Sequence, residues 1–420
     1  MPGHSGMNMS MQGMLGQYSM RRESSGTGWQ PEATPMAGTM AMRGDWMTMT
    51  DGFVYLVADR QTGPRGDDKV FAQSMGMLMA QRRLGMGTLG LRGMVSLDPA
   101  TMGRSGYPLL LASGETADGQ TPLIDRQHPH DFFMELAASY SVPLGQSSSV
   151  FVYGGPVGEP ALGPGTFMHR FSARRNPEAP LTHHWFDSTH ITFGVLTVGG
   201  TLGPFKAEAS TFNGREPDQS RWNIETRTFD SWSTRLTFNP TPQWSFQVSY
   251  ADLDSPEQLE PDKSILRSTA SASYHAQTSM GEWQTTLAWG RNDKREPSES
   301  NKVDAWALES TLVIGKRHTV FGRFERVEQD ELFTDPSPLA GQTFTVQKAT
   351  LGYIYDFAKV GLATLGAVAC PDRARLGAPS CTASALRSRS CWPPIRSPLQ
   401  RVLLLVVQYQ PVHVLRSRTC

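Results

Sequence analysis

Methionine is concentrated at the start of the chain, where one histidine accompanies it. Eleven of the 20 methionines lie in the first fifty residues. The part of this segment that could do chemistry contains His4, Met7, Met9, Met11, Met14 and Met20. Thioether sulfur is a soft ligand that suits Cu(I), and imidazole suits Cu(II). The segment therefore predicts a copper-binding arm that favours Cu(I), whereas low-complexity sequence without a metal role is the alternative.

Histidines form a second candidate site farther along the chain. One predicted connection contains His128, His130 and Asp131, and a later one contains His169, His183, His184 and His190. Imidazoles and carboxylates that meet on one side of a fold can bind a transition metal. We therefore predict a second metal site shared by the two segments. A hydrogen-bonded loop network without metal is the alternative.

A shorter group of methionines lies within a predicted strand. Met75, Met77 and Met79 recur with period two, so their side chains share one face of that strand. We expect this face to pack against lipid, and a soft ladder facing the lumen is the alternative.

The pair His128 and His130, separated by one proline, also resembles the paired histidines of metal-dependent hydrolases built on α/β barrels. That fold needs about eight amphipathic helices. The sequence predicts no convincing one, so a metal-dependent hydrolase is the least favoured function and we expect no enzymatic activity.

The elements that must position these residues are strands. From about residue 189 onward, apolar and polar side chains alternate in short segments, for example over 232–238, 244–251, 283–289 and 305–314. Such alternation is typical of a sheet with one apolar and one wet face. Aromatic residues stand at the segment ends, where membrane barrels have interfacial girdles.

The connections between these segments alternate in length. Short ones cover 198–204, 239–243, 278–282 and 315–318, and long charged ones cover 213–229, 252–264, 291–304 and 328–342. Outer-membrane barrels have short periplasmic turns and long outer loops. The sequence therefore predicts an all-β fold, an antiparallel transmembrane β-barrel of about 14 to 16 strands formed by residues 51–357.

The two ends of the chain depart from this pattern. Residues 1–50 lack periodicity and predict a disordered, flexible Met/His-rich arm in the periplasm. Residues 358–420 lose the alternation, contain all four cysteines and predict an aberrant tail that is frame-shifted or disordered. The first residues do not resemble an export signal, which an outer-membrane protein requires, so either the true start lies upstream or the outer-membrane interpretation is wrong.

Overall composition restricts the partners. Lysine plus arginine and aspartate plus glutamate number 39 each, so the charge does not indicate nucleic-acid binding. The longest strongly apolar run, 402–407, is far shorter than the roughly 20 residues of a spanning helix. Outer-membrane lipid is the partner that the alternating strands predict.

Four segments carry a family resemblance. They are His4–Met14, Pro122–Asp131, His183–Gly194 and Phe321–Glu325. On these segments the chain resembles uncharacterised proteobacterial outer-membrane proteins associated with copper-resistance genes, over roughly residues 4–357. The resemblance implies an outer-membrane barrel involved in copper binding, resistance or transport, with periplasmic copper-resistance proteins as expected partners. A porin-like barrel without a metal role is the alternative.

Overall fold

The computed structural model describes residues 12–296, 300–361 and 363–379, and the backbone of residues 400–409. The strands in chain order are β1 (Thr39–Arg43), β2 (Trp46–Arg60), β3 (Asp68–Leu84), β4 (Gly87–Val95), β5 (Tyr107–Thr116), β6 (Pro122–Gln127), β7 (Phe133–Pro143), β8 (Ser148–Gly158), β9 (Thr192–Leu202), β10 (Phe205–Phe212), β11 (Ser231–Phe238), β12 (Trp244–Asp254), β13 (Ser264–Gln277), β14 (Gly281–Arg295), β15 (Ser300–Ile314), β16 (His318–Gln329), β17 (Phe344–Val360), β18 (Ala363–Pro379) and β19 (Gln400–Tyr409).

Helices in the described residues are short. They are α1 (Asp98–Met102), α2 (His183–Phe186) and two single 3₁₀ turns, Met20–Arg22 and Ser188–His190. None of the helices in these ranges is long and apolar enough to cross a membrane. Every strand pairing in the same ranges is antiparallel, so the α/β barrel required by the hydrolase alternative is not the fold of this chain.

The strands form a barrel. Of the described strands, seventeen belong to one sheet, and β5 and β6 form a separate pair within the connection between β4 and β7. Sixteen of the seventeen, all except β1, each pair with two neighbours in a series that runs from β2 to β19. Strand β19 pairs with β18 and also with β2, so the series returns to its start. The prediction of an antiparallel barrel of 14 to 16 strands is confirmed, and the architecture is that of outer-membrane β-barrels.

Side chains of the wall alternate between an apolar outer face and a polar inner face. On neighbouring strands β11 and β12, Leu236 and Val248 are exposed outside the barrel, whereas Arg235 and Gln247 are buried inside it. The inward polar groups require hydrogen-bond partners, because a buried polar group without one costs about 1–3 kcal/mol. Neighbouring strands supply some of those partners, as Thr269 does for Gln247, and the contents of the barrel supply others, as Thr27 does for Arg235.

Connections at the two ends of the barrel differ in length. Short turns join β3 to β4, β9 to β10 and β15 to β16, and the long connections include 96–132, 159–191 and 330–343. The alternation agrees with the sequence pattern. The ends of the barrel are called here the short-turn end and the long-loop end.

The arm is folded, contrary to the prediction for residues 12–50. Met14 is 1% exposed, and Thr27 lies inside the barrel, where its carbonyl accepts a hydrogen bond from the Nζ of Lys206 on β10. At the short-turn end, the amide of Ala33 donates to the carbonyl of Pro242. Residues 39–50 form β1 and the start of β2 instead of continuing the arm. The arm is ordered because donors on the polar wall, such as Lys206, bond to its backbone carbonyls.

The tail also enters the barrel, contrary to the prediction of disorder after residue 357. Strand β18 pairs with β17 and β19, and Asp372 on β18 lies 2.8 Å from the Nζ of Lys348 on β17. Strands pair through backbone hydrogen bonds, which do not require apolar and polar side chains to alternate. The lack of alternation after residue 357 therefore did not exclude strands there. Residues 380–399 and 410–420 lie outside the described ranges, and a shifted reading frame stays a prediction.

The methionines of β3 face the interior, so the expectation of lipid packing is wrong. Met75 and Met79 are buried, whereas Val70 and Leu78, at positions of opposite parity, are exposed on the outer face. The direction of a strand's faces depends on its register within the sheet, which a run of alternating residues does not reveal by itself.

Candidate metal-binding histidine cluster

Five predicted site histidines meet inside the barrel. Ring centroids lie 6.0 Å apart for His128 and His184, and 5.4 Å apart for His130 and His190. The ring centroid of His183 lies 5.1 Å from that of His190 and 5.4 Å from that of His184. These five residues are called here the histidine cluster. The prediction that the two segments approach each other is confirmed, and metal binding by them stays a prediction.

Two long connections position the cluster. The first, between β4 and β7, carries His128 and His130 after the hairpin of β5 and β6. The second, between β8 and β9, folds into the barrel, where His183 begins α2 and His190 ends a 3₁₀ turn. Phe167, in the second connection, packs its ring against three imidazoles, those of His130, His183 and His190.

Oxygen atoms orient these same three imidazoles. The Nδ1 of His130 lies 2.9 Å from a carboxylate oxygen of Asp98, and the Nδ1 of His183 lies 2.7 Å from one of Asp187. The Nδ1 of His190 lies 2.8 Å from the backbone carbonyl of Asp187. Histidines that ligate metals usually donate their second ring N–H to a carboxylate or carbonyl. The arrangement therefore leaves Nε2 as the candidate ligand atom on all three.

Burial keeps part of the cluster neutral. It lowers the pKa of His183 to about 4, although Asp187 acts in the opposite direction. Burial also lowers the pKa of His190 well below its usual value, and the Nε2 of this residue is buried without a hydrogen-bond partner. Neutral imidazole is the form that binds metal.

His184 differs from these neighbours in charge. Burial acts to lower its pKa, but the carboxylates of Glu216 and Glu115 outweigh this effect and raise the pKa to about 9. The Nδ1 of His184 lies 3.6 Å from Glu216. His184 is therefore a cation near neutral pH. A protonated imidazole has no lone pair that could bind a metal. It must lose its proton before it can be a ligand.

Two residues of the predicted second site have other partners. Asp131 pairs with Arg221 at 3.1 Å, and this guanidinium also contacts Glu115. Burial raises the pKa of Asp131 to about 7 in spite of Arg221. His169 makes no ring contact with the cluster among the described residues, and burial, together with the charges of Arg92 and Arg174, lowers its pKa to about 4. Neither residue belongs to the cluster.

The ligand atoms of the cluster do not converge as they stand. Within the described part of the chain, the only three acidic, histidine or cysteine side chains whose ligand atoms all lie within 4.8 Å are Glu257, Glu260 and Glu331. The cluster is therefore not a preformed coordination sphere. A metal ion would have to draw the imidazoles together by rotation of their rings.

The predicted copper ligands of the arm divide into two groups. His4, Met7, Met9 and Met11 lie outside the described residues. Met14 and Met20 are buried, and the thioether of Met14 covers Gly90 on β4 so closely that a Cβ there would lie 2.2 Å from its Sδ. These two methionines are packed side chains, not parts of a freely moving arm. Sequence periodicity could not reveal this, since the arm has none.

Ion pairs connect the cluster to the wall. Arg170, in the connection between β8 and β9, donates to Asp187 at 2.7 Å and to Glu309 on β15 at 3.0 Å. Arg170 and His183 hold the pKa of Asp187 below its usual range although burial acts to raise it. Arg170 has no local signal in the sequence, because its partners lie 17 and 139 residues away.

A cavity of about 570 Å³ lies at the short-turn end, lined in part by Arg21, Tyr274, His275 and Glu282. A second cavity of about 20 Å³ lies beside the cluster, between His184, Glu216 and Arg267. The second is just large enough for one water molecule or a small ion.

Among known proteins, solved structures alone are similar to this chain. No family model matches the chain, and no curated protein matches it. Among solved structures, OmpF of Salmonella typhi in complex with daunomycin is similar, with a TM-score of 0.49, 9% identity, and coverage of 88% of this chain and 100% of that one. An anion-selective porin from Comamonas acidovorans has a TM-score of 0.48, 11% identity, and coverage of 87% and 99%. OmpT of Vibrio cholerae has a TM-score of 0.48, 7% identity, and coverage of 88% and 99%.

Proposed function

We propose that the protein resides in the outer membrane. The support is the outer face of the wall, where Leu236, Val248, Leu308 and Leu351 are exposed although they are apolar. A closed antiparallel barrel satisfies its backbone hydrogen bonds internally, which the hydrocarbon core demands. We expect the protein to fractionate with outer membranes and to migrate faster on gels before boiling than after. Soluble fractionation with heat-independent migration would contradict the proposal.

Within that membrane, we propose that the barrel binds copper and supports copper resistance or transport without catalysing a reaction. The observation that carries the proposal is the meeting of His130, His183 and His190, each held at Nδ1 by oxygen. Three imidazoles bind Cu(II) and Cu(I) better than they bind ions that prefer oxygen ligands. The carboxylates of Asp98 and Asp187 would offset part of the ion's charge.

The segment that contains His4, Met7, Met9 and Met11 remains the proposed Cu(I)-binding end of the arm. Residue 12 follows this segment, and its carbonyl accepts a hydrogen bond from Gln81 of β3, near the short-turn end. Short turns of outer-membrane barrels are periplasmic. The segment would then meet periplasmic copper-resistance proteins, which are the proposed partners.

A porin-like barrel without a metal role is the second candidate, and the cavity of about 570 Å³ at the short-turn end favours it. Against it, the interior contains both the arm and the connection 159–191. Arg170, Ser25 and Glu159 from these segments are buried there in hydrogen bonds. Conductance in planar bilayers would distinguish the candidates, since a porin passes ions without copper.

Copper binding by the cluster is tested with the full chain refolded in detergent and titrated with Cu(II) against a competing chelator. The variant combines His130→Gln, His183→Gln and His190→Gln, and the control is His318→Gln, at a half-buried histidine beside a short turn. We expect the triple variant to weaken binding at least about tenfold and the control to leave it unchanged.

Should the triple variant fail to fold, His190→Gln alone replaces it, because the Nε2 of His190 has no partner to lose. Wild-type affinity in a folded variant would remove the cluster from the proposal. No copper binding by the wild type would leave the porin-like barrel as the function.

A further inference from the structure

Methionines line the inner face of strands β1 to β4. Their parity matches the buried Tyr55 and Phe71 and is opposite to that of the exposed Val54 and Val70. We call them the methionine wall. It consists of Met40 and Met42 on β1, Met47 and Met49 on β2, Met75, Met77 and Met79 on β3, and Met94 on β4.

Three of these methionines form a row across neighbouring strands. Met40 lies directly opposite Met49, and Met49 lies directly opposite Met79. Directly opposed residues of antiparallel strands have Cβ atoms roughly 5 Å apart and point to the same face. Because the methionine side chain is unbranched and flexible, three thioethers spaced in this way can turn toward one point.

A second row has carboxylates at its ends. Asp51 lies opposite Met77, Met77 opposite Met94, and Met94 opposite Glu135. The two rows are adjacent, since Met77 and Met79 are two residues apart on β3. Acidic side chains beside a set of neutral sulfur ligands lower the free energy of a bound cation.

A positive charge in the first row contacts the arm. Arg92 follows Met79 in the first row, and its guanidinium lies 3.7 Å from Glu23 of the arm and donates to the carbonyl of Gly26. The guanidinium of Arg92 is therefore held by the arm. Arg174 and Arg175 act electrostatically on Asp51 in the second row.

Burial increases along the methionine wall from the short-turn end inward. Met42, at the β1–β2 hairpin, is 67% exposed, Met40 and Met49 are half-buried, and Met79 and Met94 are 6% and 3% exposed. An ion that arrives from the short-turn end would meet exposed thioethers first and buried ones later.

Packing alone does not account for this composition. Where the same strands only need to present apolar surface, they use Val54, Leu56, Val70 and Leu78. β-Branched and aromatic residues suit strands better than the flexible methionine. Half-exposed methionines inside a wet barrel gain little free energy from burial. What they offer is a thioether sulfur as a ligand atom.

We infer that the row of Met40, Met49 and Met79 binds a single Cu(I) ion and that the methionine wall leads such ions from the short-turn end into the barrel. The inference deepens the proposed copper function and depends on it only for the identity of the ion. Neutral thioethers prefer Cu(I), whereas Zn(II) favours thiolate, imidazole and carboxylate. The row should therefore discriminate against Zn(II).

The experiment titrates the full chain in detergent with Cu(I), under reducing conditions and against a competing chelator. Each protein also carries Met7→Leu, Met9→Leu and Met11→Leu, so that the first segment does not mask the wall. The test variant replaces Met40, Met49 and Met79 by leucine, which conserves volume. The control replaces Met86 and Met280, two exposed methionines at short turns, by leucine.

We expect the test variant to weaken Cu(I) binding by at least about tenfold, with Zn(II) binding and heat-dependent gel migration unchanged. The control should bind like its parent. Equal binding by the test variant and its parent would overturn the inference, and the histidine variants would then show whether the proposed copper function survives. Absence of Cu(I) and Cu(II) binding by the unmodified chain would overturn both. A misfolded test variant is replaced by Met49→Leu alone, and wild-type affinity there counts against the row.

Discussion

The inner face of the barrel has two chemically different sides. Strands β1 to β4 carry the methionine wall, whereas β10, β11 and β15 to β17 carry an ionic wall that consists of Lys206, Glu208, Arg235, Glu309, Arg323, Glu325 and Lys348. Outside, both sides present similar apolar side chains to the surroundings, for example Leu56 and Leu308. The surrounding medium therefore restricts the outer face only. The side chains of the inner face depend instead on the segments that fill the barrel and on what the interior binds.

The ionic wall holds the filling of the barrel in place. Arg235 pairs with Glu208 at 3.0 Å and donates to Thr27 of the arm. Lys348 pairs with Glu178 of the connection 159–191 at 2.6 Å. The methionine wall carries neutral thioethers in place of such charges. The comparison predicts that stability resides in the ionic wall and soft-metal binding in the methionine wall.

The largest effect is expected from Arg170→Ala. This change leaves Glu309 and Asp187 buried without their cation, and removing one partner of a buried pair costs about 3–5 kcal/mol. Urea unfolding in detergent, followed by tryptophan fluorescence, measures the free energy of unfolding. Arg291→Ala breaks the exposed pair with Asp304 and should cost at most about 1 kcal/mol. Equal losses in the two variants would show that the interior ion pairs are not what stabilises the barrel.

A smaller effect, which depends on pH, is expected from His184. Its pKa is raised to about 9 in the folded protein, so its contribution to stability is complete below the unfolded pKa of about 6.5 and is lost as the pH rises through 9. The difference in unfolding free energy between wild type and His184→Gln should therefore fall by an amount on the order of 2 kcal/mol over that window. Urea titrations at pH 6, 7, 8 and 9 check this window at roughly one-unit steps. A difference that stays constant with pH would mean that Glu216 and Glu115 do not hold the imidazolium.

The smallest effect is expected from Gly90→Ala on β4. A Cβ at this position would lie 2.2 Å from the Sδ of Met14, so the thioether must move and the arm loosens. Because a flexible side chain absorbs most of the clash, we expect a loss of about 1 kcal/mol and faster proteolysis near residue 14. Gly93→Ala is the matched control, since its nearest contact is 3.9 Å, to Leu136. Similar protease resistance in both variants would argue against packing of Met14 on β4.

Much of the wall was predictable from the sequence because alternation is local. Segments such as 232–238 and 244–251 became β11 and β12, and short and long connections followed each other as expected. The meeting of His128 with His184 was also predictable, since two long connections at the same end of a barrel lie near each other. The strand count followed from the same repeat.

The contents of the barrel were not predictable in this way. Residues 12–38 have no periodicity, and hydrogen-bond donors on the wall, for example those of Lys206, Arg92 and Arg235, hold them inside. The strands β18 and β19 have little alternation, and backbone pairing with β17 and β2 establishes them. Neither feature has a signal within its own segment.

The sequence by itself determined which residues alternate, which connections are long, and where methionine and histidine are concentrated. Only the tertiary structure decided that Met40, Met49 and Met79 share one row, that Asp131 pairs with Arg221, and that Arg170 joins Asp187 to Glu309. The reason is physical. Periodicity depends on neighbours along the chain, whereas register and the pairing of buried charges depend on residues that are far apart in sequence and compete for the same partners.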